Sequence, residues 1–264
     1  MSIQAELSNN PNTHILSECF DVHSDLVDII SQFPAQAHLL PMSDNALVGI
    51  AIGMAIDGAF PIVQLASSES LYAILPQLHQ ETEHGFPLPM VIRVPSFDLQ
   101  DINLNMLSSL PAAVYCPQNQ AHAESIISEA RTRKQPTILI ESQALMTAQK
   151  KSNFSADETE VVLEGSDVTI LTWGEGASIA VEIAESDSTQ GISLEVLVLH
   201  RLFSDNPEIG RSITKTGRVI CLNQNDSLTS TVIAQSFWRL EAEPIFCSAE
   251  ASSIAAALQD VLAP

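Results

Sequence analysis

Pro41-Met-Ser-Asp-Asn-Ala-Leu-Val-Gly-Ile-Ala-Ile-Gly-Met-Ala-Ile-Asp-Gly58 is the stretch that decides the fold. It reads as a loop, a buried helix, and a turn into a strand over 60–65. Pro41 ends the extended run before it. Ser43 is a good N-cap, because its hydroxyl can accept from an otherwise unpaired backbone N–H. Asp44 then falls in the first turn, where the positive end of the helix dipole favours an anion. Leu47, Ile50, Ala51, Met54 and Ala55 recur at helical spacing and predict the apolar face. Gly49 and Gly53 stand four apart. A helix-interior glycine costs about 1 kcal/mol relative to alanine, so two of them predict a crowded contact with another backbone.

Working outward, the chain alternates strand and helix. Residues 1–12 are polar turn-formers and read as a loose arm. A short strand follows over 13–19, a helix over 22–33 stopped by Pro34, and a short strand over 37–40 that delivers the chain to Asp44. Beyond the central helix, Pro61-Ile-Val-Gln-Leu-Ala66 is a strand of the buried parallel kind. Ser67 begins the next helix, and the simplest reading of Ser67 and Ser70 is that their side chains cap it. Strands over 89–95, 110–117 and 135–141 enclose one helix over 119–132, with Ala123, Ile126, Ile127 and Ala130 inward. Residues 148–160 are polar and charged and read as a linker between a domain over 1–147 and one over 161–264. The second domain alternates in the same way, with helices over 177–186, 207–214, 230–240 and 252–262. Such alternation implies an α/β protein with two doubly wound, mainly parallel sheets.

The totals narrow the function. The chain has 264 residues, 45% of them hydrophobic, enough for a sizeable core. Its net charge of −21, with only 11 Lys and Arg, argues against nucleic-acid or anionic-membrane surfaces. No apolar run long enough to span a bilayer and no signal-peptide pattern is present, which predicts a cytoplasmic protein. Cys19, Cys116, Cys221 and Cys247 are widely spaced beside apolar segments and read as reduced core thiols. The seven histidines are scattered without metal-ligand spacing, so no protein-bound metal is assigned.

The 41–58 stretch resembles the Pro-(Leu/Ile)-Ser-Glu-Asn-Ala-x-x-Gly-x-Ala-x-Gly-x-Ala-x-x-Gly segment of transketolase-like thiamine-diphosphate proteins. The member type it is most similar to is the beta subunit of the pyruvate and branched-chain 2-oxoacid dehydrogenases. Pro89-Met-Val-Ile-Arg-Val-Pro95 resembles that family's Pro-(Leu/Ile)-Val-x-Arg-x-Pro. Ser212-Ile-Thr-Lys-Thr-Gly-Arg218 resembles its Ser-x-x-Lys-Thr-Gly-Arg. The resemblance implies a pyrimidine-binding-like first domain and a transketolase C-terminal-like second domain. It also implies a homodimer with the 43–57 helix at or near an interface. Glu18 matches the Glu of the family's Gly-Glu-Asp strand end. The family places a helix before that strand, for which this chain is too short.

The same resemblance assigns Glu18, Asp44, Ser67 and Ser70 to the cofactor site, with Asp44 in the catalytic position. There the family has a Glu that hydrogen-bonds the aminopyrimidine ring of thiamine diphosphate. Asp is one methylene shorter, roughly 1 Å, and misplacement of that size can cost about a hundredfold in rate. Ser67 and Ser70 stand where the family has two aromatic residues that wall the ring. A Gly-rich loop bearing His-Ser-Gln is replaced by the short segment 96–105, and the acidic residue after the 217–222 strand is replaced near Gln224. The family's diphosphate and magnesium motif, Gly-Asp-Gly…Asn, is absent from this sequence. Thiamine diphosphate with magnesium can therefore be held only with an alpha-type partner, and none is expected on the isolated chain. Two functions stay open. One is a beta-type subunit supplying the pyrimidine half-site for 2-oxoacid decarboxylation or ketol transfer. The other is a scaffold or regulatory subunit without cofactor chemistry.

Overall fold

A computed structural model describes residues 3–18, 24–96, 102–142, 159–186, 191–204, 206–222, 232, 234 and 236–262. The chain divides into two compact units, Met1–Ile102 with Ser109–Ala156, and Asn103–Ser108 with Asp157–Pro264. Most of the stretch read as a linker, and Cys19 and Gln224, lie outside the described residues.

The first unit runs α1 (Ile3–Asn9), β1 (Thr13–Ser17), α2 (Ser24–Gln32), β2 (Ala37–Leu39), α3 (Asp44–Ile56), β3 (Phe60–Gln64), α4 (Ser68–Glu83) and β4 (Val91–Ser96). α5 (Leu104–Ser108) falls in the segment assigned to the second unit, and the first unit resumes with β5 (Ala113–Tyr115), α6 (Gln120–Ala130) and β6 (Thr137–Ser142). Its strands are ordered β5-β6-β4-β3-β1-β2, and each of these pairs is parallel. Buried parallel strands read as continuous apolar runs, and β3 is buried along its whole length.

The N-terminal arm is a correction. Residues 3–9 form α1, because Ile3 and Leu7, one turn apart, bury against the core. The last carbonyls of a helix need partners. The Gln36 side-chain amide supplies one by donating to the carbonyls of Leu7 (3.1 Å), Asn10 (3.0 Å) and Thr13 (2.8 Å). Glu6 is buried and pairs with Arg131, whose guanidinium also lies 4.5 Å from the centroid of the Phe60 ring.

α3 begins as read, with Ser43 as N-cap accepting from the Ala46 amide at 3.4 Å. Of the predicted stripe, Leu47, Ala51 and Ala55 are buried and Met54 is half-buried, and Val48 and Ile52 join the buried face in place of Ile50. Ile50 is 44% exposed. Almost every residue of this helix is apolar, so its periodicity does not choose a face. The glycines differ as well. A Cβ on Gly49 would meet Nε2 of Gln77 on α4 at 3.0 Å, whereas one on Gly53 would meet nothing within 4 Å.

The second unit contains β7 (Glu160–Leu163), β8 (Val168–Thr172), α7 (Gly176–Ala184), β9 (Leu194–Val198), β10 (Arg201–Leu202), α8 (Pro207–Thr216), β11 (Val219–Leu222), a 3₁₀ turn (Phe237–Arg239), β12 (Ile245–Cys247) and α9 (Ala251–Val261). The sheet order is β12-β11-β8-β9-β7, parallel except that β7 runs antiparallel on β9. The Ser212–Arg218 string holds this unit together. Ser212 and Thr216 bond Thr169 through their hydroxyls at 2.7 and 2.8 Å. Lys215 reaches Glu164 at 2.6 Å and also buried Glu195. Gly217 ends α8 at φ 69°, a conformation that only glycine adopts without strain. Among the described residues no helix is long and apolar enough to cross a membrane.

α6 carries a buried histidine. His122 accepts from the Gln118 amide at 3.3 Å, and burial lowers its pKa from 6.5 to about 4. The unfolded chain therefore takes up a proton below pH 6.5 that the folded chain refuses. The His122 contribution is complete above pH 6.5 and falls as pH drops toward about 4. The slope is at most about 1.4 kcal/mol per pH unit. Denaturant unfolding between pH 7 and 4 is expected to show a shallower loss in His122→Gln than in the unmodified chain.

Candidate functional site

Three parallel strands deliver the candidate residues to one edge of the first sheet. β1 pairs with β2 on one side and β3 on the other, so all three point the same way. Glu18 directly follows β1, Asp44 opens α3 after β2, and Ser67 precedes α4 after β3. In open parallel sheets, ligand crevices lie outside these carboxyl ends.

The acids come together. The Glu18 carboxylate accepts from the backbone N–H of Ser43, 25 residues on, at 2.5 Å. Ser43 thus has two tasks, because its hydroxyl caps α3 while its amide holds Glu18. The cap was legible from composition; the second task depends on β1 and β2 being neighbours. The Glu18 pKa is raised from its ordinary value. Burial is the largest cause, the negative charge of Asp44 adds to it, and the Ser43 hydrogen bond works against both. Asp44 is half-buried, and its Oδ1 is shielded from solvent with no hydrogen-bond partner among the described residues.

The serines behave differently. Ser67 occupies the N-cap position of α4, but its hydroxyl does not bond the helix amides. It bonds the carboxylate of Glu69 instead, and this is the main reason that the Glu69 pKa is lowered. The reading of Ser67 as a side-chain cap is corrected accordingly. The charge-assisted bond that the hydroxyl donates to a carboxylate is stronger than the neutral bond that a capping oxygen accepts, so Glu69 sets the orientation of the hydroxyl. Ser70, one turn into α4, is half-buried. Among the described residues no hydrogen bond joins either serine to Glu18 or Asp44. Deeper in the sheet, Arg93 on β4 makes a bidentate pair with Glu141 on β6 at 3.0–3.1 Å, and both side chains are largely buried.

Comparison with known proteins begins in the second unit, where residues 157–235 match the family described as transketolase, C-terminal domain. Over 234 residues the chain is 24% identical to the pyruvate dehydrogenase E1 component subunit beta of Acholeplasma laidlawii, covering 78% of this chain and 72% of that one. It is 22% identical over 208 residues to the 2-oxoisovalerate dehydrogenase subunit beta of Bacillus subtilis strain 168, covering 70% and 63%. A split-gene transketolase, solved as an inactive β4 tetramer, has the same fold at TM-score 0.84 and 19% identity, covering 98% of this chain and 94% of that one. The chain resembles the transketolase-like thiamine-diphosphate proteins.

The pairing of the acids has a direct test. Carboxyl-carbon NMR is expected to show Glu18 titrating above the ordinary glutamate range and moving down in Asp44→Asn, which removes the neighbouring charge. An unchanged Glu18 titration in that variant would mean that the two carboxylates do not sense one another.

Proposed function

We propose that this chain is a beta-type subunit that supplies the pyrimidine half of a thiamine-diphosphate site and relies on an alpha-type partner for the diphosphate and magnesium half. The observation that carries this reading is the shielded, unpartnered Oδ1 of Asp44 beside Glu18, at the carboxyl edge of the sheet. A buried polar atom without a partner costs free energy, so a carboxylate oxygen kept in that state suits a ring N–H donor. Both curated relatives named above are beta subunits, and the domains over 1–147 and 161–264 then correspond to the pyrimidine-binding-like and C-terminal-like parts. Cys116, Cys221 and Cys247 are in no disulfide, which supports a reducing, cytoplasmic location.

The fit to the cofactor is partial. Asp44 and Glu18 suit the hydrogen-bonding edge of an aminopyrimidine. Ser67 and Ser70 do not suit its apolar faces, and Ser67 is already engaged by Glu69. Burying an apolar side chain of Phe size is worth about 1.5–3 kcal/mol, so losing two such walls weakens binding by orders of magnitude. No catalytic step is assigned to the chain by itself. That same polar wall favours the second reading, a scaffold or regulatory subunit that keeps the fold without the chemistry.

Restoring the pattern separates the two. With an alpha-type chain that carries Gly-Asp-Gly…Asn, the Asp44→Glu, Ser67→Phe, Ser70→Phe variant is expected to bind thiamine diphosphate and magnesium at least about a hundredfold more tightly than the unmodified pair. Equal affinity would remove Asp44, Ser67 and Ser70 from the account. No binding by either pair would favour the scaffold.

We also place a homodimer interface on α3. Its outward face carries Ala46, Ile50, Gly53 and Ile56, with Ile50 and Ile56 44% and 49% exposed. The split-gene transketolase that shares the fold forms a tetramer of its beta chains. Light scattering at micromolar concentration is expected to give at least a dimeric mass, and Ile50→Glu is expected to lower it. A monomeric mass for the unmodified chain would contradict the placement.

A further inference from the structure

His14 and His38 are 24 residues apart in the chain, so no spacing rule joins them. Parallel pairing does. β1 and β2 align Leu16 with His38, and side chains alternate across a strand, so His14, Leu16 and His38 share one face of the sheet. Nδ1 of His14 and Nε2 of His38 lie 3.1 Å apart, with ring centroids at 5.2 Å. Both rings are half-buried, and β2 is the last strand on that side of the sheet. Among the described residues, neither imidazole has another hydrogen-bond or ion-pair partner. His14 stands four residues before Glu18, roughly 13 Å along the strand, so the pair is separate from the acidic cleft and does not rest on the reading of it.

Two imidazole nitrogens bound to one metal at about 2.0–2.1 Å, with angles between 90° and tetrahedral, sit about 2.9–3.4 Å apart. The observed 3.1 Å lies inside that window. We propose that His14 and His38 form a bidentate site for a borderline transition-metal dication, with water filling the remaining positions. Nitrogen donors without a carboxylate disfavour Mg²⁺ and Ca²⁺, which need oxygen ligands. Among first-row dications the order of affinity for such donors peaks at Cu²⁺. The described residues contain no group of three His, Cys, Asp or Glu that could hold a metal, so the protein supplies two ligands here. Burial and the neighbouring His38 lower the pKa of His14, which keeps a nitrogen lone pair available at neutral pH. The ring that donates in the resting pair gives up the proton on its facing nitrogen and takes one on its other nitrogen. Binding therefore needs a change of tautomer and a rotation of the rings that turns both facing lone pairs onto the metal.

The test is Cu²⁺ titration of the full chain at pH 7.5, followed by electron paramagnetic resonance. The unmodified chain is expected to take one equivalent with coupling to two nitrogens. His14→Gln and His38→Gln are each expected to lose at least about tenfold in affinity, because one-ligand attachment forfeits the high effective concentration of the second. The double variant should lose little more than either single one. Singles that bind as tightly as the unmodified chain would overturn the site, as would a two-nitrogen spectrum that survives in the double variant. Circular dichroism reports whether the variants are folded. The unmodified chain gives a second readout that needs no substitution, since substoichiometric Cu²⁺ should broaden the ring resonances of His14 and His38 before those of other histidines. Earlier broadening elsewhere would place the metal away from this pair.

Discussion

The first unit depends on one constraint, that β1 has a parallel neighbour on each side. Ile15 registers with Ala37 of β2 and with Ile62 of β3. Once three strands run the same way, the chain leaves all of them at one edge, and Glu18, Asp44 and Ser67 lie beyond such exits. The bond from the Ser43 amide to Glu18 ties two of those exits together. It also brings a second carboxylate, Asp44, close enough to raise the Glu18 pKa. The register that makes the cleft also aligns His38 with Leu16, and so beside His14.

Much of this was legible from residues alone. Strand–helix alternation gave the α/β class, and the cap at Ser43 marks a helix start that local chemistry sets. Three features were hidden because they depend on tertiary contact. α1 looked like a polar arm, since two buried apolar residues in seven do not stand out until Gln36 and Arg131 arrive from distant parts of the chain. The buried face of α3 could not be chosen, because a helix apolar all round has no preferred side until its neighbours are known. The antiparallel β7 is a four-residue edge strand, and nothing in so short a segment encodes direction.

The candidate site divides in the same way. Glu18 and Asp44 come together at the carboxyl edge of the first sheet, and that proximity is the part that the fold supplies. Ser67 departs from its reading as a cap because Glu69 competes for its hydroxyl. In the second unit, the Ser212–Arg218 string, among the most family-like in the sequence, does structural work. It bonds Thr169, Glu164 and Glu195 and ends α8 at Gly217. A family-like string can thus report the packing of a scaffold, and chemistry has to be argued from the cleft.

The central claim is that this chain holds half of a site. Equilibrium dialysis of the isolated chain against thiamine diphosphate and magnesium tests it most directly. The expected result is no retained cofactor at micromolar protein and ligand, because the aromatic walls and the diphosphate motif are both missing. Tight, stoichiometric retention by the isolated chain would contradict the account.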